Sequence, residues 1–404
     1  MQGYKVAVIG AGASGMMAAI TAARAYPQQV ILIEKEARVG KKLLATGNGR
    51  CNLLNLQGSE SAYHGSGRQV AGSLLKRMPP AWLLSHFRQM GLLIREEAKG
   101  RCYPYSGQAS AVLDVLRAAC EREAVKTCCQ MRVTDITKES GMFALHIHTG
   151  ECIHAEKVIL CFGGKAAPAL GADGSGFALA QKMGHTVTPL RPALSPLKLR
   201  ADAVRGLKGI RAQCRLSLEI AGEILREETG EVLFTEHGLS GVAAMQLARL
   251  SGEGLARKKR VYVCVQLIDP KTAAEEMRMR TELFALQPME MACTGLVHKR
   301  ICTRLLEAAD IPLSAPVNAQ NLQALLPFLS CWRLPVTGVM PFANAQVTAG
   351  GLSPEEFHPE TLESLRTPGL YACGEALDVD GDCGGYNLMW AWVSGIAAAE
   401  ACTR

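Results

Sequence analysis

The feature that most constrains the fold is the opening of the chain, where a short apolar run passes through three glycines into small residues. The run from Lys5 to Ile9 ends at a glycine, and Ser14 to Ala25 is rich in helix-forming residues. The pattern predicts a strand, a tight turn and a helix. Gly10, Gly12 and Gly15 have G-x-G-x-x-G spacing: they permit the turn, admit a pyrophosphate to the backbone, and let helix and strand pack closely.

The next apolar run strengthens this interpretation. Val30 to Ile33 predicts a second strand, and Glu34 stands at its end, nineteen residues after Gly15. An acid there can accept hydrogen bonds from an adenosine ribose, and the N-terminus of the preceding helix favours phosphate. A glycine-rich turn that binds nothing is the alternative, but the strand, helix and terminal acid together favour a dinucleotide-binding α/β domain.

Composition sets wider bounds. A chain of 404 residues exceeds one typical core and predicts two or three domains. The net charge of +7, from 44 basic and 37 acidic residues, is mild. The densest basic run, Arg257 to Arg260, leads into an apolar segment and is interpreted as a solvated loop rather than a nucleic-acid patch.

Targeting, membrane and metal signals are weak. Residues 6–23 carry no charge, but glycine and alanine dominate them, so the dinucleotide motif explains them better than a signal peptide or membrane span. Fifteen cysteines without a C-x-x-C pair predict free thiols in a reducing cytoplasm. His146 and His148 share a strand face, but two histidines alone do not predict a metal site.

Two later strands also end in glycine. Lys157 to Phe162 stops at Gly163-Gly164, and Pro368 to Glu375 contains Gly374 near its end. A further pair, Gly384-Gly385, opens an apolar helix from Tyr386 to about Ala401. Glycines permit close backbone approach to a ligand, and a doubly wound sheet keeps its ligand along one edge. We therefore expect these glycines to meet along one edge of the sheet.

Between these strands, the loop Gly40 to Asn52 has the small and polar residues expected beside an extended ligand, with a bland surface loop as the alternative. Its candidate ligand-bonding side chains are Lys42, Asn48, Arg50 and Asn52.

Residues 68–93 are predicted to be helical, and Ser106 is predicted to cap a helix that ends near Glu123. The segment Gly171 to Gly176 follows no apolar strand, so a second dinucleotide site is not predicted.

The middle of the chain has a different character. Prolines from Pro189 to Pro196 mark a linker, after which strand-like runs alternate with turns and a helical block follows. We predict a dinucleotide-binding domain in two parts, a β-rich inserted domain and a helical subdomain. Their predicted ranges are 1–189 and 346–404 for the first domain, 190–270 and 333–345 for the β-rich domain, and 271–332 for the helical subdomain.

Several motifs together resemble the aminoacetone-oxidase-like FAD flavoproteins, a family that includes BaiN-type bile-acid reductases. The resemblance covers nearly the whole chain and implies a glutathione-reductase-like FAD-binding Rossmann domain split by an insertion. The motifs are the opening turn, Gly47-Asn-Gly-Arg-Cys-Asn52, Gly163-Gly164, Gly238-Leu-Ser-Gly241, Thr348-Ala-Gly-Gly351, Gly374-Glu-Ala-Leu-Asp378 and Gly384-Gly-Tyr-Asn-Leu-Met-Trp-Ala-Trp392.

The resemblance also implies positions for the parts of FAD. The pyrophosphate would lie at Gly10 to Gly15, including Ala13 and Ser14, and the adenosine at Glu34, Lys35 and Val133. The loop Asn48 to Asn52 with Cys51 would lie beside the ribityl chain and ring, and Glu375 beside the ribitol. Backbone amides of Asn387 and Leu388, after Gly385, would face the pyrimidine end of the flavin, where a helix N-terminus stabilises negative charge.

The catalytic expectation is hydride transfer from FAD, reduced by NADH or NADPH, to a carbon–carbon double bond conjugated to a carbonyl. Such a step needs a proton donor, and the candidates are Tyr386, Tyr103 and Glu236. Many relatives have histidine where this chain has Glu236, with His237 after it. Dithiol chemistry is not expected, because Cys51 has no nearby cysteine in the sequence.

The resemblance implies a small, flat, apolar substrate such as a 3-oxo-steroid acid. No membrane association is expected from the sequence, and the oligomeric state is left open. Three alternatives remain at this point. A ribosomal RNA dihydrouridine synthase would use similar chemistry on RNA, and an aminoacetone-type amine oxidase would use oxygen. The third alternative is an FAD-binding module without catalysis.

Overall fold

The chain forms two compact units, as seen in a computed structural model that describes residues 3–404. One unit comprises residues 3–191 and Gln346–Arg404, and the other comprises Pro192–Ala345. The further division of the second unit into β-rich and helical domains stays a prediction.

The first part of the chain, before it enters the second unit, contains both strands and helices. In chain order they are β1 (Tyr4–Ile9), α1 (Ala13–Ala25), β2 (Val30–Ile33), α2 (Lys41–Ala45), β3 (Leu54–Asn55), β4 (Tyr63–His64), α3 (Arg68–Arg77), α4 (Pro80–Gln89), β5 (Ile94–Glu97), β6 (Arg101–Pro104), α5 (Ala109–Arg122), β7 (Lys126–Cys128), β8 (Val133–Glu139), β9 (Met142–Ile147), β10 (Cys152–Leu160) and α6 (Gly176–Lys182).

The later elements lead through the second unit and back. They are β11 (Arg191–Ala193), β12 (Leu197–Leu199), β13 (Arg211–Ile220), β14 (Glu223–Phe234), β15 (Gly238–Ser240), α7 (Val242–Gln246), α8 (Ala248–Ala256), β16 (Val261–Gln266), α9 (Pro270–Leu283), α10 (Lys299–Ala308), α11 (Ala319–Ser330) and β17 (Trp332–Val339). The returning segment contains β18 (Val347–Ala349), β19 (Leu370–Ala372), β20 (Asp380–Gly381) and α12 (Tyr386–Cys402).

The main sheet of the first unit confirms the predicted Rossmann-type α/β fold. Its path is β7-β2-β1-β10-β9-β8, and β19 also pairs with β10. Strands β7, β2, β1, β10 and β19 are parallel, whereas β9 is antiparallel to both β10 and β8. All four residues of β2 are apolar and buried, as expected when both faces of a parallel sheet are covered.

Helix α12 completes the first unit by packing on α1. It is apolar on almost every side, and Trp390 and Trp392 are fully buried. The two helices approach closely at Gly395, where an added Cβ would lie 2.5 Å from the Ser14 carbonyl oxygen. Residues from the two ends of the sequence therefore share one core.

The second unit is built around a closed barrel with the strand order β12-β15-β14-β13-β16-β17. The residues of β16 alternate between buried and half-buried, which is the period of a strand with one face toward a core. Buried residues of α9, α10 and α11 belong to the same apolar core as those of the barrel strands.

Two local predictions were wrong. The helix predicted over residues 68–93 is interrupted at Pro79-Pro80, because proline removes a backbone donor and restricts the residue before it. Ser106 does not cap α5, which begins after Gln108; the Ser106 hydroxyl accepts from the Gln108 amide instead.

Candidate FAD site

The three glycines of the turn between β1 and α1 have different surroundings. Gly10 has φ +102°, and a Cβ there would lie 2.5 Å from the Cys161 carbonyl oxygen. A Cβ on Gly15 would lie 1.8 Å from the Gly10 carbonyl oxygen, so helix and turn touch through backbone atoms. A Cβ on Gly12 would meet no atom within 4 Å. The open space over Gly12, at the N-terminus of α1, is where an anion can approach.

Glu34 lies directly beside this turn. One carboxylate oxygen accepts from the Ala11 amide at 2.8 Å, and the other accepts from the Glu36 amide at 2.9 Å. Val133 is buried at the start of β8. A neighbouring cavity of about 500 Å³ is lined by Lys35, Glu36, Ala37, Gln130, Arg132, Thr134 and His148. This space beside Glu34 fits the predicted adenosine end of the cofactor.

The second glycine-rich segment, Gly171 to Gly176, has a structural contact with this region. Its Asp173 forms an ion pair with Lys35 at 2.5 Å and accepts from the Ser175 hydroxyl at 2.7 Å. Burial opposes ionisation, but Lys35 and Ser175 together lower the pKa of Asp173 to about 2. The segment therefore presents a carboxylate that holds Lys35 in place.

A polar network joins the glycine-ended strands. The Glu375 carboxylate accepts from the Thr348 amide and from Lys42 Nζ, both at 2.8 Å. The Thr348 hydroxyl in turn accepts from the Lys165 and Ala166 amides at 2.8 and 2.9 Å. Sequence reasoning singled out Lys42 and Glu375 separately and gave Thr348 no role, although it begins the Thr-Ala-Gly-Gly motif.

The glycines beside this network leave no side chains in the space that a ligand would occupy. A Cβ on Gly164 would lie 2.4 Å from the Thr348 hydroxyl, whereas one on Gly163 would meet nothing within 4 Å. Gly374 lies against Ser14, with 2.6 Å between a Cβ at that position and the hydroxyl. The structure thus brings Gly163, Gly374 and the turn at α1 together around the same strand ends.

The loop from Asn48 to Asn52 supplies a second wall. Asn48 has φ +55°, and the Arg50 guanidinium lies over the Tyr103 ring, 4.2 Å from its centre. Cys51 is fully buried, and burial raises the pKa of its thiol to about 12, so it is not a thiolate at neutral pH. The Asn52 side-chain oxygen is buried without a hydrogen-bond partner. A buried polar atom of this kind indicates a missing ligand.

The N-terminus of α12 lies next to that orphaned atom. Gly385 has φ +102°, and a Cβ there would lie 2.8 Å from the Asn52 side-chain oxygen. No side chain caps the helix, so its first amides can bind an acceptor on a ligand. Leu388 is half-buried in this first turn.

Asn387 has a side-chain role that sequence reasoning missed. Its side-chain oxygen accepts from the Gly381 amide at 2.8 Å, and its nitrogen donates to the Gly381 carbonyl at 2.7 Å. The same nitrogen is 3.3 Å from the Asp382 carbonyl oxygen. The side chain therefore binds the loop before α12, leaving only the backbone amide for the predicted flavin contact.

The spacing of the two helix N-termini suits an extended dinucleotide. Gly395 touches Ser14 at the start of α1, and Asn387 precedes it by eight residues, or about 12 Å of helix rise. Two helix N-termini at this separation can both face one extended anionic ligand. Open space at Gly12, the unpartnered Asn52 oxygen and the uncapped α12 together fit FAD.

The three candidate proton donors have different surroundings. Tyr386 is half-buried; burial, and then Asp382, raise the pKa of its hydroxyl. Tyr103 is buried under Arg50. Glu236 lies in the second unit, exposed and paired with Lys208, which lowers the pKa of its carboxyl. The catalytic role of each residue stays a prediction.

Residues 3–404 contain neither a candidate metal-ion cluster nor a candidate membrane-spanning helix. No cluster of three or more histidine, cysteine or acidic side chains in that range is placed to hold a metal ion. None of the helices there has both the length and the apolar character required to cross a bilayer.

Comparison with known proteins agrees with this architecture. The model of the family described as HI0933-like protein Rossmann domain matches residues 4–401. A 3-dehydro-bile acid Δ(4,6)-reductase from Clostridium scindens is 37% identical over 405 residues, covering 98% of each chain. A ribosomal RNA dihydrouridine synthase from Escherichia coli is 31% identical over 410 residues, covering 99% of this chain and 98% of that protein.

Among solved structures, a 3-ketosteroid Δ1-dehydrogenase from Sterolibacterium denitrificans superposes with a TM-score of 0.52 at 13% identity, covering 100% of both chains. At that identity the likeness concerns the fold alone. The family match and the sequence relatives confirm the predicted resemblance and the FAD cofactor. The chain belongs to the HI0933-like family and is an FAD-dependent oxidoreductase.

Proposed function

We propose that this protein uses NADH or NADPH to reduce a carbon–carbon double bond conjugated to a carbonyl in a flat, apolar steroid acid. The observation that carries the proposal is the full-length relationship to a bile-acid Δ(4,6)-reductase. The polar groups around the site also support it, because they suit cofactor binding.

In this proposal FAD supplies the hydride when it is bound and reduced. The chain's own groups bind and orient it. Lys42 and Glu375 would hold the polar chain of the cofactor, and the uncapped amides of α12 would stabilise negative charge at its ring. Cys51 would contribute packing, because its buried thiol stays protonated.

Anaerobic mixing tests the two half-reactions separately. NADH or NADPH should bleach the absorbance of the holoprotein at about 450 nm, where oxidised flavins generally absorb. A 3-oxo-Δ4 steroid acid should then restore the colour in one stoichiometric turnover, whereas its saturated 3-oxo counterpart should not. Failure of both Δ4 and Δ4,6 steroid acids to reoxidise the reduced protein would refute the substrate class.

A second candidate, reduction of uridine in ribosomal RNA, is favoured by a specific surface feature and by the dihydrouridine synthase relatives. The four residues from Arg257 to Arg260 are all exposed, between α8 and β16. An exposed basic run can bind phosphates without reading sequence.

The RNA candidate has its own test. Reduced protein would convert uridine to dihydrouridine in unmodified ribosomal RNA, detected by mass spectrometry. The double variant Arg257→Gln/Lys259→Gln would weaken RNA binding and flatten its dependence on salt. The same variant should reduce the steroid acid at the wild-type rate, so the two substrate classes can be separated.

A further inference from the structure

A histidine–carboxylate pair joins β4 to the loop before α12, and neither residue is among those predicted to bind the cofactor. His64 Nε2 is 2.8 Å from an Asp382 carboxylate oxygen, and both side chains are partly accessible, at 27% and 21%. His64 belongs to β4 and Asp382 follows β20, and these two strands pair antiparallel. The pair therefore joins two segments more than 300 residues apart in the sequence.

The pair is anchored to the start of α12. The Asp382 amide donates to the Ala62 carbonyl at 2.9 Å, and the Asn387 side chain binds both polar backbone groups of Gly381. The Tyr63 hydroxyl on β4 also donates to the Tyr386 carbonyl at 3.0 Å. Strands β4 and β20 are thus both hydrogen-bonded to the first turn of α12, the helix predicted to face the flavin.

Geometry fixes the roles of the two ring nitrogens. With Nε2 donating to the Asp382 carboxylate, Nδ1 is the nitrogen that faces away from this bond and can carry the transferable proton. A carboxylate that orients one nitrogen of a histidine while the other exchanges protons is a common arrangement for acid–base chemistry. Asp382 has further contacts and is a positioning residue here.

We propose that His64, oriented by Asp382, supplies the proton consumed when the conjugated double bond is reduced. The inference rests on the proposed function. One carbon–carbon π bond breaks and two carbon–hydrogen bonds form: the hydride comes from the reduced cofactor, and the proton comes from His64 Nδ1. The neutral imidazole is then reprotonated by solvent.

Several carboxylates and other polar groups lie around His64. Besides Asp382, Asp380 lies opposite His64 in the strand pair and is buried. Asp378, also buried, accepts from the Ser66 hydroxyl at 2.7 Å, two residues beyond His64. Tyr63, Tyr386, Cys383 and Arg101 also lie near the start of α12.

The first test compares half-reactions of the holoenzyme. His64→Gln should leave bleaching by NADPH within about twofold of wild type, but slow reoxidation by the 3-oxo-Δ4 steroid acid by about 10²- to 10⁴-fold. The wild-type reoxidation rate should fall at alkaline pH, and this limb should be absent in the variant. Asp382→Asn should give a smaller loss, and the exposed-site control His358→Gln should change neither rate.

An unchanged reoxidation rate in His64→Gln, or an unchanged alkaline limb, would overturn the inference while leaving the proposed function intact. A larger loss in Tyr386→Phe than in His64→Gln would also overturn it, and would assign the proton to the tyrosine. Lack of steroid reoxidation by the wild-type protein would instead refute the proposed function.

The second test does not depend on turnover. Diethyl pyrocarbonate modifies accessible imidazoles, and peptide mass spectrometry resolves each histidine. Loading apoprotein with FAD should slow modification of His64 at least about fivefold through local exclusion of the reagent, while exposed His358 should react unchanged. Equal modification of His64 with and without FAD would place it outside the cofactor site and overturn the inference, whichever substrate is reduced.

Discussion

The turn Gly10 to Gly15 and the returning segment Gln346–Arg404 both bring helix N-termini to the FAD site, but different contacts hold them in place. The turn depends on backbone atoms close in sequence and on the absence of side chains. The returning segment depends on side-chain contacts with residues distant in sequence, such as Glu375 with Lys42 and the Tyr386 carbonyl with the Tyr63 hydroxyl. Substitutions that add atoms should therefore damage the turn most, whereas removal of polar groups should damage the returning segment.

The largest effect is expected for Gly15→Ala. The new Cβ would lie 1.8 Å from a backbone oxygen, so the turn must move, at a cost of about 3 kcal/mol in the free energy of unfolding. Gly72→Ala is the matched control in α3, because its Cβ would meet only the flexible Glu60 side chain, at 2.6 Å. Denaturant unfolding should separate the two variants, and equal stabilities would contradict the backbone account of the turn.

Gly12→Val should separate binding from folding. Its φ of −81° is compatible with valine, and the added atoms enter open space, so the free energy of unfolding should change by about 1 kcal/mol or less. FAD affinity should fall at least about 100-fold, or about 2.7 kcal/mol, because valine fills the predicted pyrophosphate position. Purified protein should be colourless, and stoichiometric FAD in it would refute that placement.

The returning segment should be the part that acid destabilises. Burial opposes ionisation of Glu356, but the Thr186 amide, Arg366 and His185 lower the pKa of its carboxyl to about 2. Burial lowers the pKa of His185, despite Glu356. Both folded-state values lie below the ordinary ones, so the associated stability is present at neutral pH and is lost on acidification.

The expected loss attributable to Glu356 is about 2 kcal/mol between pH 6 and pH 3, measured by denaturant unfolding at each pH. Glu356→Gln should reduce stability at pH 6 and flatten this dependence. A wild-type slope retained in the variant would show that other carboxyls govern acid sensitivity.

The smallest expected effect is on the link between Glu375 and Lys42. Glu375→Gln keeps an oxygen for the Thr348 amide but removes the charge that pairs with Lys42. FAD affinity should fall about tenfold, or about 1.4 kcal/mol, in a fluorescence titration. Lys42→Gln and the double variant complete a cycle, and additive losses would show that the two side chains contribute independently.

Residue spacing was enough to predict the first strand, turn and helix. Strand β2 has the predicted bounds Val30–Ile33, and α1 begins one residue before the predicted Ser14. These elements can be predicted from the sequence because apolar periodicity and glycine stereochemistry act over a few neighbouring residues. The Ser106 cap was wrong for the opposite reason: a short polar side chain has several nearby backbone partners, and sequence does not choose among them.

The sequence by itself determined that this chain has a nucleotide-binding α/β domain and, through its motifs, the family and cofactor. Tertiary structure alone decided that the Tyr63 hydroxyl binds the Tyr386 carbonyl, that Glu375 meets Lys42, and that His64 meets Asp382. The physical reason is range: glycine turns and strand periods are set by neighbouring residues, whereas these polar contacts form only after sheet and helix packing brings together residues from the two ends of the chain.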